Sequence, residues 1–192
     1  ARELSEMVLP PIRHVVEGLL PMGMGVLVAK PKLGKSWMVL DLCLAVAQGE
    51  PFLGFPTQQH GTLYLALEDG KSRMQTRLRR LLEGRPAPAN MHVMFQAQRL
   101  GEGLLEMLGE YLDANPDIHL VCIDTLSKIK PKAKPFENAY DADYDYMGRL
   151  KAFADSRGIC VLLVHHTRKS KNPEARELSE MVLPPIRHVV EG

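Results

Sequence analysis

Between two apolar runs the chain carries Ala29-Lys30-Pro31-Lys32-Leu33-Gly34-Lys35-Ser36, followed at once by Trp37. The spacing fits G-x-x-x-x-G-K-S at every fixed position except the first, where Ala29 stands in place of glycine. A loop between a strand and a helix N-terminus exposes backbone N–H groups, and the helix dipole adds partial positive charge. Gly34 lets the backbone approach a phosphate closely, Lys35 can set its ammonium on terminal phosphates, and Ser36 can offer a hydroxyl to Mg2+. The expectation is a nucleotide-binding loop from Ala29 to Trp37. The competing reading, a lysine-rich surface turn, gives no reason for a buried helix to begin there.

Asp124 is the second candidate. Leu120 to Ile123 is apolar and ends on this carboxylate, as expected of a parallel strand that delivers an acid to the ligand edge of a sheet. There Asp124 would hold Mg2+, usually through a water, with Ser36 as the other metal-side residue. Otherwise it caps the turn before Thr125. Glu68 and Asp69 likewise end an apolar run ahead of Gly70, either at the ligand edge or as N-cap acids of the next helix.

The elements that must position these groups follow from periodicity. Pro11–Val16 suits a short strand or an extended arm, entered through a proline pair that excludes helix. Val26–Val28, Thr62–Leu67, Met91–Phe95, Ile118–Ile123 and Ile159–Val164 are continuous apolar runs rather than alternating ones, the mark of strands covered on both faces. Lys35–Gln48 is apolar nearly all round and stops at Gly49, so the fold encloses that helix. A second helix sets Met74, Leu78, Leu81 and Leu82 against an arginine face of Arg73, Arg77, Arg79 and Arg80, expected to be exposed. A third spans Leu104–Leu112, with Leu104, Leu105, Leu108 and Tyr111 inward. A Lys/Pro loop is expected from Ser127 to Pro135, then a helix carrying Tyr140, Tyr144, Met147 and Leu150. Strands alternating with helices predict an α/β fold with a mostly parallel central sheet and helices on both faces.

Composition narrows the classes. Lys+Arg 24 against Asp+Glu 23 gives no global attraction to nucleic acid, so any such contact needs a local patch. Cys43, Cys122 and Cys160 sit in apolar runs without CxxC spacing, as reduced core residues of a cytoplasmic protein would. No apolar run reaches membrane-span length, no signal peptide is apparent, and a start at Ala1 suits a fragment or processed product. Residues 1–18 recur identically as 175–192. A solenoid would repeat at shorter intervals and drift, which leaves a tandem array, a circular template, engineering, or an artefact of cloning or sequence assembly. The chain divides into an arm (1–18), a core (19–171), and a linker with the second arm copy (172–192).

With the first two motifs in place, the words KPKLGKSW, LYLALEDGKSRMQTRL, VCIDTLSKI and VLLVHHTRK resemble those of RecA-like P-loop ATPases of the AAA class, within them the RepA-type hexameric replicative helicases. The resemblance runs from about Leu19 to Lys169 and implies a RecA-like fold, truncated on the C-terminal side because the family continues past HHTRK with further strands. It implies ATP and Mg2+ as cofactors and ATP hydrolysis coupled to DNA processing. The alternatives are a regulatory or recombination-mediating ATPase that unwinds nothing, or a nucleotide-gated binding module.

The same resemblance makes Glu68 the base that orients the attacking water, with Asp69 left as the cap. It places His165 and His166 on a strand between those of Lys35 and Asp124, where one can sense the γ-phosphate. Adjacent strand residues face opposite ways, so the two histidines are a poor chelating pair, and one of them suits a buried, hydrogen-bonded position. Arg168 or Lys169 could reach a neighbouring subunit's nucleotide, or simply be solvated. Lys128, Lys130, Lys132 and Lys134 would face a ring channel and touch single-stranded DNA phosphates, with Phe136 alone available for stacking; a solvated charge run is the other reading. A homo-oligomer, hexameric by resemblance, is implied. An edge strand left by missing partners, or the next subunit's groove for the first copy, would offer a place for the second arm, Pro185–Val190.

Overall fold

The computed structural model describes residues 6–9, 11–30, 33–131 and 139–166, with backbone alone for 139–143. Its elements are β1 (His14–Val16), β2 (Leu20–Pro21), β3 (Gly23–Ala29), α1 (Lys35–Gln48), β4 (Gly61–Ala66), α2 (Lys71–Leu82), β5 (Met91–Met94), α3 (Leu104–Ala114), β6 (Ile118–Asp124), α4 (Leu126–Ile129), α5 (Ala139–Arg157) and β7 (Cys160–His166). The five continuous apolar runs form one parallel sheet in the order β3-β7-β6-β4-β5. This is the RecA-like α/β arrangement, and β3 and β5 are the two edges of the described sheet.

Period-two alternation sorts the strand residues into two cores. Tyr64, Ala66, Leu120, Cys122, Cys160, Leu162 and Val164 pack with Val39, Leu40, Cys43 and Val46 of α1 and Met74 of α2. Leu63, Leu65, Val121, Ile123, Val161 and Leu163 pack on the other face with Leu104, Leu108 and Leu112 of α3 and Leu150 and Ala154 of α5. Helix α1 has the bounds its composition implies, and Gly49 ends it in a left-handed conformation, φ 71°, with its N–H turned back to Ala45 O and Val46 O. All three cysteines are free and buried.

The arm joins the first core. Strands β1 and β2 pair antiparallel, and Val15 and Val16 are fully buried. Glu17 N donates to Pro56 O at 2.9 Å and Gln58 N to Val15 O at 3.2 Å, which ties the arm to the segment before β4. Burying two valines in this way stabilises by roughly 3–6 kcal/mol.

Two local expectations are corrected. The loop expected from Ser127 begins instead as the one-turn helix α4, because Leu126 and Ile129 fall three apart and both reach the α3–α5 core. Leu104 and Leu108 are buried as expected, whereas Leu105 and Tyr111 are only partly so; Tyr111 spends its hydroxyl on His92 Nδ1 at 2.7 Å.

Candidate active site

All five strands run the same way, so their C-terminal ends share one rim. Register places Ala29 beside His166, Asp124 beside Val164, and Ala66 beside Asp124. Ala29 is the last residue of β3 and takes ordinary strand conformation, so this position makes no use of glycine's freedom. Gly34 does: it caps α1 with φ 83°, and a Cβ there would meet no atom within 4 Å. The requirement at Gly34 is therefore conformational rather than steric.

Lys35, 6% exposed, opens α1 and folds its ammonium back over the loop. Nζ donates to Ala29 O at 2.8 Å and to Lys30 O at 2.6 Å. Burial pushes its pKa down, opposed by the carboxylates of Asp124 and Glu68. The cation and the two acids thus share one electrostatic neighbourhood. Ser36 follows, half-buried, then Trp37; Lys30 and Leu33 are exposed. Pro31 and Lys32 lie outside the described residues.

Asp124 is 3% exposed. Tyr64 Oη donates to its Oδ2 at 2.9 Å, while Oδ1 is buried with no hydrogen-bond partner among the described residues. An unpaired carboxylate oxygen is costly in such a place. The loop after β4 is stapled to the end of β6 by Leu67 N donating to Asp124 O at 2.8 Å. That brings Glu68 beside the next residue, and Thr125 Oγ1 donates to Glu68 Oε1 at 3.2 Å. Thr125 Oγ1 and Ser127 Oγ are 2.6 Å apart. His166 Nε2 lies 3.4 Å from Glu68 Oε2.

Parity explains which histidine arrives. His166 shares the strand face of Cys160, Leu162 and Val164, the same face as Tyr64, Cys122 and Asp124. His165 points to the other face and is half-buried. A hard cation fits the oxygen donors present, since Asp124 Oδ1 is unsatisfied among the described residues and Ser36, in the first turn of α1, carries a hydroxyl.

The expected cap at Asp69 is overturned. Gly70 is the N-cap of α2, without a side-chain cap hydrogen bond, and Asp69 instead pairs with Arg73 at 3.1 Å and with Arg77. Arg77 is correspondingly not on an exposed face: its side chain is 17% exposed, and its guanidinium lies 5.5 Å from the Trp37 ring centroid. Lys128 sits exposed on α4 and Lys130 just beyond it, past the rim that Asp124 ends. Lys132, Lys134, Phe136, Arg168, Lys169 and the second arm copy with Pro185–Val190 lie outside the described residues.

Sequence reasoning did not find Tyr64, Thr125 or the Arg77–Trp37 contact. A tyrosine inside a strand buried on both faces must find a partner for its hydroxyl, a signal available at Tyr64. Nothing in the sequence named Asp124 as that partner.

Lys35 and two carboxylates thus gather at one rim of a parallel sheet of RecA-like fold. The chain belongs to the AAA domain family, whose model matches residues 1–172, and it is an AAA-type ATPase domain. Among solved structures it is similar in fold to another ATPase domain, with TM-score 0.58 and 14% identity over 77% of this chain. It spans 58% of the length of that domain. Among curated proteins none matches.

Proposed function

We propose that the chain hydrolyses ATP with Mg2+ and couples hydrolysis to DNA processing as a subunit of a ring, as in the RepA-type helicases it resembles. One observation supports this most: Lys35, Asp124 and Glu68 converge on one rim, and each carboxylate is already tethered by a hydroxyl.

On binding, Lys35 exchanges the carbonyls of Ala29 and Lys30 for the β- and γ-phosphates, aided by the amides at the start of α1. Ser36 and Asp124 would hold Mg2+, which when bound would supply charge neutralisation on the phosphate oxygens. Glu68, held by Thr125, orients a water in line with the γ-phosphorus and takes its proton. The new O–P bond forms as the bond to the ADP oxygen breaks. His166 lies beside Glu68 and senses the γ-phosphate through it. His165 faces away and supports the strand. Lys128 and Lys130, with Lys132 and Lys134, contribute sequence-independent contacts to single-stranded DNA phosphates.

The test is ATP turnover with and without single-stranded DNA, on material of measured solution mass. The expected result is turnover raised by DNA in an oligomer. Binding without turnover would overturn the enzymatic reading, and stimulated turnover without duplex separation would replace the helicase with a regulatory ATPase.

A further inference from the structure

Glu68, Asp124 and His166 each present one ligand atom, and these atoms all lie within 4.8 Å of one another. The 3.4 Å separation of His166 Nε2 and Glu68 Oε2 equals the edge of a tetrahedron around an ion with bonds of about 2.0–2.2 Å. Each carboxylate is fixed through one oxygen and leaves the other available. Tyr64 holds Asp124 Oδ2 and Thr125 holds Glu68 Oε1, a second shell that orients ligands. Independently of the cluster's spacing, Asp124 Oδ1 is buried with no hydrogen-bond partner among the described residues, in a residue 3% exposed. A cation at that point would relieve it. The nearby ammonium of Lys35 is engaged with the carbonyls of Ala29 and Lys30. Glu68 is exposed, so the site opens to solvent.

We infer that, in the nucleotide-free chain, Glu68, Asp124 and His166 directly bind one borderline divalent ion of the Zn2+ or Co2+ type. An imidazole beside two carboxylates favours such ions over Mg2+, which keeps its water and takes oxygen ligands. This ligand set differs from the Mg2+ site, where the Ser36 hydroxyl and phosphate oxygens take part. Water fills the remaining positions. His166 Nδ1 has no partner among the described residues, so the imidazole lacks the usual second-shell acceptor and the ion exchanges readily. Once Glu68 is a ligand, it can no longer orient a water, and the ion holds the site off.

The test is titration of the nucleotide-free chain with CoCl2, followed by visible absorption, and with ZnCl2 by calorimetry. One equivalent is expected, with the absorption of four- or five-coordinate Co2+. His166→Gln and Glu68→Gln should each weaken binding by about tenfold or more. His119→Gln should leave it unchanged; His119 stacks on His60 at the start of β6, the opposite rim. Absence of binding, or binding equally strong in both His166→Gln and Glu68→Gln, would overturn the inference. A further arm, displacement of Zn2+ by Mg-ATP, rests on the proposed ATP site. Co2+ binding with no ATP turnover would count against that reading alone, and turnover without Co2+ binding against this inference alone.

Discussion

The Tyr64 hydroxyl donates a 2.9 Å hydrogen bond to Asp124 Oδ2 across the adjacent parallel strands β4 and β6. The contact holds a buried acid in one orientation at the rim where Lys35 ends its reach. Tyr64→Phe removes the donor and leaves a second oxygen of Asp124 unsatisfied. Stability should fall by about 1–3 kcal/mol, seen as a lower Tm, and turnover should need more Mg2+. An unchanged Tm together with an unchanged Mg2+ dependence would show that the hydroxyl tethers nothing.

Trp37 is the only tryptophan of the chain and directly follows Ser36, with the Arg77 guanidinium 5.5 Å from its ring centroid. Its emission should therefore shift when nucleotide binds beside it. Arg77→Ala should shift emission without nucleotide and cost about 1.5–3 kcal/mol, because Asp69, whose side chain is 9% exposed, loses a charged donor. Fluorescence and a denaturant melt of the variant check both.

Alkaline stability follows from the buried thiols. Burial first, and then the Cys43 thiol nearby, pushes Cys160 from 9.0 up to about 12; burial likewise raises Cys122 well above 9.0. Unfolding releases these thiols to ionise near pH 9, so between pH 9 and 12 the unfolded chain holds fewer protons than the folded one. Stability is thus full below pH 9 and lost as pH rises, by about 1.4 kcal/mol per pH unit for each such thiol. Melts across this window should show the loss, and Cys160→Ala should make it shallower. An identical slope in the variant would contradict the assignment.

The scaffold was legible wherever one principle acted alone. Helix α1 begins and ends where an all-round apolar run meets Gly34 and Gly49, and the strands are the continuous apolar runs. Strand parity also separates His166 from His165 once the face of Val164 and Leu162 is known. What escaped were choices made between distant groups. Asp69 has the position of a cap, yet two arginines of α2 outcompete backbone amides for it. Leu126 and Ile129 turned a lysine-rich loop into a helical turn because a core lay beneath them. The pairing of Tyr64 with Asp124 and of Thr125 with Glu68 depends on strand register, which no local pattern encodes.

The most direct measurement pairs ATP binding, read from Trp37 emission, with phosphate release in three chains: wild type, Lys35→Ala and Glu68→Gln. Glu68→Gln should bind ATP as the wild type does and release phosphate about 10²–10⁴-fold more slowly, and Lys35→Ala should do neither. Full turnover in both variants would contradict a nucleotide gripped by Lys35 opposite Asp124 and Glu68.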